Sequence, residues 1–338
     1  MKGVRIKEPR KVDLIDIQTK EPSKGEALLK VKSAGICGSD IGAFRGANQL
    51  VSYPRIIGHE IAGEVLSIPE NTRGIKKGDK VIVDPYLYCG HCYPCSIKRT
   101  NCCEKLEVLG VHVDGGMVEY FTHPAEMLYK VPDDMEWGLI PLAEPLTIAI
   151  HGLHRGRLKE GEHVAINGAG TIGLLAAMAA QYYGAIPILI DLVEDRLEFA
   201  KSLGITNVIN LLEEDVIEKI SKYTDGRRAE MVLEASGANE AIRNTLEMVS
   251  YAGRIVFTGW PKKETLLPTD IITKKEIDIR GGRTSVGEFE EAIDLIYNNK
   301  IKAKAIITKI ISMEDVPETI IDIEENPGDY LKVNVMVS

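Results

Sequence analysis

Five of the six cysteines in the chain fall within one short segment, CGHCYPCSIKRTNCCEK. Two C-x-x-C steps and a return after eight residues place four thiolates where they can surround one metal ion: Cys89, Cys92, Cys95 and Cys103. Four sulfur ligands leave no open coordination position, so the spacing predicts a structural zinc site. Buried or free cysteines are the alternative. Cys102 is an ambiguous neighbour, and the spacing favours Cys103, while His91 is expected to be exposed.

A second set of metal-binding residue types is scattered along the chain. Cys37 stands in AGICGSD, His59 and Glu60 stand in IIGHE, and Glu144 stands in LAEPL. Taken singly, each has an ordinary structural explanation: a core cysteine, a structural histidine, an acid at a turn or helix start. Together they offer one thiolate, one imidazole and carboxylates, the donors that hold a catalytic zinc with one position left for water or substrate. The spacing alone leaves both explanations open.

The segment HVAINGAGTIG predicts a strand, a tight glycine turn and a helix. The first glycine permits the turn, the second lets the backbone approach a pyrophosphate, and the third allows close contact between helix and strand. The anion then lies at the helix N-terminus. The segment therefore predicts a dinucleotide site, with these candidate contacts: Gly168, Gly170, Thr171, Ile172 and Gly173.

An aspartate ends the next predicted strand. Asp191 follows Gly173 by 18 residues, where a carboxylate hydrogen-bonds the ribose hydroxyls of NAD and repels the 2′-phosphate of NADP. NAD is thus the expected cofactor. Arg196 weakens the preference for NAD, because an arginine near this acid can bind the 2′-phosphate of NADP. Its place in the following helix is equally suited to contact with the adenine of either cofactor.

The predicted secondary structure, which must position these residues, changes along the chain from short strands to alternating strands and helices. The first 150 residues contain short β-like runs separated by Gly and Pro, and from about residue 162 apolar strands alternate with helices. Such alternation predicts βαβ units and a parallel sheet. After about residue 284 a helix, EFEEAIDLIYNN, and two strand-like runs, AIITKII and YLKVNVMVS, complete the chain. We expect two domains packed against each other, with a cleft between them as the default binding site.

Length and composition narrow the class of protein. At about 150 residues per domain, 338 residues suggest two domains. The net charge of −9 disfavours nucleic acid as a partner. The first residues, MKGVRIKEPRKVDLIDI, contain no apolar signal segment, and no run reaches the roughly 18 apolar residues of a membrane span. We therefore expect a cytoplasmic protein with no membrane partner.

Taken in order, these motifs resemble the zinc-dependent medium-chain dehydrogenase/reductase family from end to end. The matching segments are GICGSD, GHE, the four-cysteine segment, DGGMVEY, AEPL and NGAGTIG followed by Asp191. The resemblance implies an α/β fold: a GroES-like, mostly β catalytic domain (1–147 and 286–338) with a zinc lobe at about 86–104, and an inserted Rossmann NAD-binding domain (148–285). It also implies two zinc ions per chain, one catalytic and one structural, and a homodimer or homotetramer.

Site roles carried over from the family fall on residues that match its motifs. Cys37, His59 and either Glu60 or Glu144 would hold the catalytic zinc, and the two carboxylates would be able to exchange. Ser39 matches the hydroxyl that contacts the substrate alcohol. Asp40 matches an acid that orients the histidine ligand. One departure stands out: Gly42 occupies the place of a histidine that passes the proton onward in many relatives, so the outer proton relay must run another way.

The implied reaction is the reversible oxidation of a secondary alcohol to a ketone by NAD. Four segments look most like bacterial sugar-acid dehydrogenases of the L-galactonate or L-gulonate 5-dehydrogenase type: FRGANQLVSYPRIIGHE, KRTNCCEK, LGVHVDGG and GGRTS. A hexonate carboxylate requires a cation, and the candidates are Arg283, His112 and Arg45. Each of these has a surface or inter-domain role as its alternative.

Three other functions remain open on the sequence. A neutral polyol or L-threonine is the alternative substrate, although Gly42 counts against threonine. An NAD-binding sensor that keeps only the structural zinc is the non-enzyme alternative, and the retained Cys37, His59, Glu60 and Glu144 argue against it. The same ligands and the cysteine segment disfavour a zinc-free quinone reductase.

Overall fold

The computed structural model describes residues 1–261 and 263–337. Within them the chain forms two compact units. The first contains Met1–Glu144, Phe289–Asn298 and residues 304–337, and the second contains Pro145–Glu288 and Asn299–Ala303. In the part of the chain so described, no helix has the length and apolar character needed to cross a membrane.

Short strands dominate the N-terminal part of the first unit. The alternation in EALLKVKSAGI buries every second residue of the longest strand, Glu26–Ile36, until its last four residues are all buried. The elements are β1 (Lys2–Glu8), β2 (Lys11–Asp16), β3 (Glu26–Ile36), α1 (Gly38–Arg45), β4 (Arg55–Ile56), β5 (Glu60–Ser67), β6 (Lys80–Val83), β7 (Tyr86–Leu87), α2 (Tyr93–Ser96), β8 (Glu107–Val108), β9 (Tyr120–Pro124) and β10 (Leu128–Lys130).

Helix α3 (Ala143–Arg155) leads into the second unit, where strands and helices alternate as the sequence predicts. The elements are β11 (His163–Asn167), α4 (Thr171–Tyr182), β12 (Ile186–Asp191), α5 (Glu194–Leu203), β13 (Asn207–Asn210), α6 (Val216–Tyr223), β14 (Ala229–Glu234), α7 (Asn239–Met248), β15 (Val249–Phe257), α8 (Thr269–Lys275) and β16 (Asp278–Gly281). Helices α6 and α8 are additions that the sequence analysis did not foresee.

The C-terminal elements are α9 (Phe289–Tyr297), β17 (Ile307–Ser312), α10 (Val316–Glu325) and β18 (Lys332–Met336). Strand β18 pairs antiparallel with β3, with Val333 opposite Ile36, and it pairs in parallel with β17. The last part of the chain therefore completes the main sheet of the first unit, whose order is β10-β6-β5-β3-β18-β17, with β9 also paired to β3.

The second unit contains one parallel sheet with the strand order β13-β12-β11-β14-β15-β16. Numbered within the unit, this order is 3-2-1-4-5-6, the order of the doubly wound dinucleotide-binding fold. In that fold ligands bind at the carboxyl ends of the central strands, where the direction of winding reverses. The glycine turn follows β11, the central strand at this position.

Candidate active site and structural metal site

Cys37 lies at the junction of a strand and a helix. Strand β3 ends at Ile36, and Cys37 is the N-cap residue of α1. The backbone N–H of Cys37 donates to Oδ2 of Asp40 at 2.9 Å, which fixes the first turn of the helix. The thiol is thereby attached to two regular elements, and its position is well defined.

His59 and Glu60 come next to Cys37 at the start of β5, which pairs with β3 so that Glu60 lies opposite Gly35. One ligand atom from each of the three residues, Cys37, His59 and Glu60, lies within 4.8 Å of the other two. His59 and Glu60 are buried. The structure thus brings together a thiol, an imidazole and a carboxylate that are separated in the sequence.

The electrostatics of this set suit a divalent cation. Burial alone lowers the pKa of His59, but Cys37, Asp40 and Glu144 outweigh it and raise the pKa well above its ordinary value. Nδ1 of His59 is buried and has no hydrogen-bond partner within the described residues. A compact group of soft and hard donors in a negative field is the environment that binds zinc, so the residues present fit the ion that the sequence predicts.

Glu144 lies in the first turn of α3, outside the compact group of three. Its Oε1 accepts a hydrogen bond from the hydroxyl of Tyr86, and both side chains are buried. Burial, together with the charge of Glu60, raises the pKa of Glu144 to about 7. Glu144 therefore influences the charge of the metal site, whereas Glu60 is the carboxylate that lies beside Cys37 and His59.

Lys332 is a site residue that the sequence analysis missed. Its side chain is buried in β18, and its Nζ donates to the carboxylate of Glu60 and, at 3.1 Å, to the backbone oxygen of Ile36. Burial lowers the pKa of Lys332, but Glu60, Cys37 and Glu144 raise it above its ordinary value. A lysine in YLKVNVMV, a run otherwise buried as a core strand, is the signal in the sequence that points to a paired internal charge.

Two residues of α1 bear on the predicted proton transfer. The hydroxyl oxygen of Ser39 is buried and has no hydrogen-bond partner within the described chain. Asp40 accepts the backbone N–H of Cys37, and its effect on His59 is electrostatic. A Cβ at Gly42 would meet only Asn48, at 3.7 Å, so the absence of a histidine there does not reflect a lack of space.

The four predicted zinc-binding cysteines come together in a separate lobe of the first unit. Ligand atoms of Cys89, Cys92, Cys95 and Cys103 all lie within 4.8 Å of one another. Backbone N–H groups of Cys89 and Lys105 donate to Sγ of Cys103 at 3.3 Å each, and a backbone N–H of His91 lowers the pKa of Cys89 to about 6. The backbone therefore favours the thiolate of Cys89, the form that binds zinc, whereas burial and the neighbouring sulfurs raise the pKa of Cys95 to about 12 while no metal is bound.

The other residues of this lobe differ from the ligand set. Cys102 lies outside it, with its sulfur 3.7 Å from Nη2 of Arg99. His91 is exposed, as expected, and its Nδ1 is 2.8 Å from the carbonyl oxygen of Cys89. The buried hydrophobic cluster of the lobe is small, with Tyr86, Cys103 and Leu106, which is typical of a segment that depends on a metal for its stability.

The glycine turn after β11 has the geometry of a dinucleotide-binding loop. Gly168 has a φ of +98°, which favours glycine. A Cβ at Gly173 would lie 1.7 Å from the carbonyl oxygen of Gly168, so the third glycine is what lets α4 pack against the turn. Helix α4 begins at Thr171, after Gly170 as its N-cap residue. Free N–H groups at the start of a helix bind phosphate.

Asp191 ends β12, next to this turn. Its Oδ2 accepts a hydrogen bond from the backbone N–H of Ala169 at 2.6 Å, and its Oδ1 accepts from Leu192 and Val193. Arg196 lies in the first turns of α5, immediately after this corner. The structure thus places the predicted ribose-binding acid at the edge of the glycine turn.

The three candidate substrate cations are not brought together. Arg45 forms an ion pair with Glu324 at the surface, and Nδ1 of His112 accepts a hydrogen bond from the backbone of Val108 at 3.1 Å. Both belong to the first unit. Arg283 belongs to the second unit, where its guanidinium lies 5.8 Å from the ring centre of Trp260.

Comparison with known proteins identifies the family to which the chain belongs. Residues 23–133 match the family described as Alcohol dehydrogenase GroES-like domain, and residues 171–298 match the family described as Zinc-binding dehydrogenase. The chain therefore belongs to the zinc-binding alcohol dehydrogenase family. The predicted fold, enzyme class and cofactors are confirmed at this level: a GroES-like domain with a Rossmann domain, a dehydrogenase acting on CH–OH donors, and zinc with NAD.

Individual relatives cover nearly the whole chain. An uncharacterized zinc-type alcohol dehydrogenase-like protein of Haemophilus influenzae is 56% identical over 99% of this chain and 98% of its own length. L-galactonate-5-dehydrogenase of Escherichia coli K12 is 36% identical over 88% of each chain. The crystal structure of the short chain alcohol dehydrogenase RspB from E. coli CFT073, complexed with the cofactor NADH, has a TM-score of 0.92 and 34% identity over 99% of both chains.

Proposed function

We propose that this protein oxidises a secondary alcohol of a sugar acid to a ketone, with NAD as the oxidant. The observation that carries the proposal is the compact set of Cys37, His59 and Glu60 in the first unit. Three protein ligands of this mixed type leave one position open on a zinc ion, which is the arrangement of catalytic zinc sites. Four-cysteine sites lack such a position, so we assign Cys89, Cys92, Cys95 and Cys103 a structural role.

The reaction balances as follows: the secondary alcohol and NAD⁺ give the ketone, NADH and one proton. When bound, NAD would take up the hydride of the carbinol carbon, and a zinc ion held by Cys37, His59 and Glu60 would polarise the substrate oxygen, while the O–H proton would leave through the protein. The transfer of the proton is left to the side chains of the site.

Ser39 is the side chain proposed to take the first step of the proton path. Its Oγ is buried and has no hydrogen-bond partner within the described residues, so it is available to accept a hydrogen bond from a substrate hydroxyl and to relay the proton by passing its own onward. Glu144 is the proposed second carboxylate, able to replace Glu60 or to receive a proton. Its pKa of about 7, raised by burial and by Glu60, suits proton transfer near neutral pH.

Asp191, at the end of β12, supports NAD rather than NADP as the cofactor. Asp191 places a carboxylate beside the glycine turn, where a 2′-phosphate would be repelled. We assign Gly168, Gly170, Thr171, Ile172 and Gly173 to the pyrophosphate, and Arg196 to the adenosine half of the cofactor.

A sugar acid is the proposed substrate class because L-galactonate-5-dehydrogenase is among the relatives and because the sequence contains candidate cations for a substrate carboxylate. Arg45 is the weakest of the three candidates, since it already forms an ion pair with Glu324. Arg283 and His112 remain as proposed partners of the substrate carboxylate, and Arg283 is preferred for its bidentate geometry.

A neutral polyol is the second candidate substrate, and one observation favours it. Glu60 and Glu144 concentrate buried carboxylates at the metal site. Such a field repels a substrate carboxylate unless a cation offsets it, whereas a polyol has only hydroxyls to place there. L-threonine also carries a carboxylate, so the same field disfavours it, although L-threonine 3-dehydrogenases are also among the relatives.

The test is NADH formation, followed at 340 nm, with hexonates, neutral polyols and L-threonine, and with total zinc measured on the same sample. Highest kcat/KM for a hexonate, with about two zinc ions per chain, is the expected result. Turnover of neutral polyols alone would move the proposal to that substrate class. No turnover with any member, on protein carrying one zinc per chain, would contradict the enzymatic proposal and favour an NAD-binding sensor.

The cellular setting is also part of the proposal. We propose a cytoplasmic homo-oligomer, a dimer or a tetramer, with a small-molecule substrate. Light scattering of the zinc-loaded protein tests the assembly, and a monomer at the concentration of the assay would contradict it.

A further inference from the structure

Glu234 is a buried carboxylate that has no cationic partner among the described residues. It is the last residue of β14 and is 0% exposed. Its Oε1 accepts hydrogen bonds from the backbone N–H of Ser236 at 2.9 Å, from the N–H of Gly237 at 3.1 Å and from the hydroxyl of Ser236. Burial raises the pKa of Glu234 above its ordinary value, although the same hydrogen bonds, which stabilise the ionised form, oppose the rise. Because a buried charge without a counterion is costly, this carboxylate favours a cation nearby.

The surroundings of Glu234 fix its carboxylate at the carboxyl edge of the parallel sheet. A Cβ on Gly259, two residues after the end of β15, would lie 2.5 Å from Oε2 of Glu234, so glycine makes room for the carboxylate between the loops after β14 and β15. The backbone N–H groups of Thr258 and Gly259 each donate to the backbone oxygen of Glu234 at 2.9 Å. A Cβ on Gly168 would lie 3.3 Å from Cβ of Ser236, so the loop after β14 also packs against the glycine turn. The charge therefore lies where the ends of β11, β14 and β15 meet.

This edge belongs to the half of the sheet that is left for the nicotinamide. A sheet with this strand order has two mononucleotide-binding halves. With Asp191 at the end of β12 assigned to the adenosine, strands β14, β15 and β16 remain for the nicotinamide nucleotide. The nicotinamide ring is positively charged in NAD⁺ and neutral in NADH, because the hydride brings the electron pair that removes the charge. The ring is therefore a cation that a negative charge at this edge distinguishes from its reduced form.

We propose that Glu234 is a specificity-determining residue of the cofactor site, which favours NAD⁺ over NADH through its negative charge. A fixed carboxylate stabilises the charged ring and has little effect on the neutral one, so the affinity for the oxidised form rises relative to that for the reduced form. Such a bias assists an enzyme that oxidises its substrate, because NAD⁺ binds more readily and NADH leaves more readily. The inference rests on the cofactor position proposed above and is independent of the alcohol substrate.

Glu234→Gln tests the charge, because the amide keeps an acceptor oxygen for the same donors. The dissociation constant of NADH is measured by its fluorescence on the zinc-loaded protein, without substrate and at about pH 8, and that of NAD⁺ by displacement of NADH. The ratio Kd(NAD⁺)/Kd(NADH) should rise about tenfold in the variant, the effect of one charge pair roughly 12 Å apart at an effective dielectric constant of about 20. A purely structural carboxylate predicts that both constants change by the same factor, and an unchanged ratio would overturn the proposal.

Two matched variants separate the charge from the position and from the fold. Glu230→Gln makes the same substitution near the opposite end of β14, where Glu230 accepts the backbone N–H of His163 at 2.8 Å, and it should leave the ratio unchanged. Glu234→Asp keeps the charge and should keep the ratio within about twofold of the parent protein. A ratio that changes as much in either variant as in Glu234→Gln would contradict the role of the charge.

The parent protein offers a measurement that does not depend on the folding of a variant. Benzamide adenine dinucleotide has the shape of NAD⁺ but an uncharged ring, and its affinity is measured by the same displacement of NADH. The parent protein should bind NAD⁺ about tenfold more tightly than this analogue, and equal affinities would overturn the proposal. Binding of neither NAD⁺ nor NADH would overturn the cofactor assignment and this proposal with it. If the affinities follow the expected pattern but no alcohol is oxidised, the proposed function fails while the role of Glu234 stands.

Discussion

The carboxylate of Asp191 accepts a 2.6 Å hydrogen bond from the backbone N–H of Ala169. This bond joins the carboxyl end of β12 to the middle of the glycine turn that follows β11. Asp191 also accepts N–H groups from the two residues that follow it. The acid therefore shapes the turn in addition to any contact it makes with a ribose.

Asp191→Asn removes the charge and keeps one of the two acceptor oxygens, so it also loses either the bond to Ala169 or those to Leu192 and Val193. We expect the ratio of kcat/KM for NAD over NADP to fall about tenfold, because the repulsion of the 2′-phosphate is lost. The measurement is initial rate with each cofactor at fixed substrate. Asp195→Asn, at an exposed position of α5, is the matched control. A ratio unchanged by Asp191→Asn would contradict the assignment to the ribose.

Cys37→Ser should abolish turnover while NADH still binds. A hydroxyl is a much weaker zinc ligand than a thiolate, so the catalytic site should lose its metal. NADH should still bind, because the glycine turn lies in the second unit. NADH fluorescence and zinc content per chain are the measurements. The control is Cys102→Ser, since that sulfur lies outside both ligand groups. Turnover retained by Cys37→Ser at reduced zinc would show that the metal assignment is wrong.

Sequence reasoning succeeded where function depends on neighbours in the chain. The four cysteines lie within 15 residues and the glycine turn within six, so spacing alone predicted their geometry. The sequence did not predict Lys332 as a site residue, because its partner, Glu60, is 272 residues away in the sequence. Only the pairing of β18 with β3 brings the two together.

The sequence left the choice among long-range candidates open for the same reason. Arg45 looked like a substrate cation in the sequence, yet Glu324, 279 residues further on, pairs with it in the structure. Glu60 and Glu144 were equivalent in the sequence, and only the register of β5 against β3 sets Glu60 beside Cys37. Which polar side chains a distant segment neutralises is a property of tertiary packing, and a local pattern does not contain it.

Cys92→Ser should lower stability far more than it alters the chemistry. Sγ of Cys92 lies 3.4 Å from that of Cys95 and 3.8 Å from that of Cys103, so its loss opens the four-sulfur set. Because the lobe buries only a small core, we expect less soluble protein and a lower melting temperature. The fraction that stays folded should keep its kcat. Selective loss of kcat at an unchanged melting temperature would count against a structural site.

The buried pair of His151 and Glu288 predicts a pH dependence of stability in the second unit. Oε1 of Glu288 lies 2.7 Å from Nδ1 of His151, and Oε2 accepts the N–H of Val286 at 2.6 Å. Burial opposes ionisation, but the hydrogen bonds from His151 and His154 outweigh it and lower the pKa of Glu288 to about 2. A carboxylate with a lowered pKa stabilises the fold above its unfolded pKa of about 4.5.

That stabilisation is lost as the pH falls from about 4.5 toward 2, where the folded protein must also take up the proton. In Glu288→Gln the corresponding part of the pH dependence should disappear, and stability at pH 6 should fall on the order of 1–2 kcal/mol because the charged hydrogen bonds are gone. Urea unfolding at a series of pH values measures both effects. Glu240→Gln, at an exposed site in α7, should follow the parent protein. Parallel pH curves for the parent and Glu288→Gln would show that the pair does not stabilise the fold through its charge.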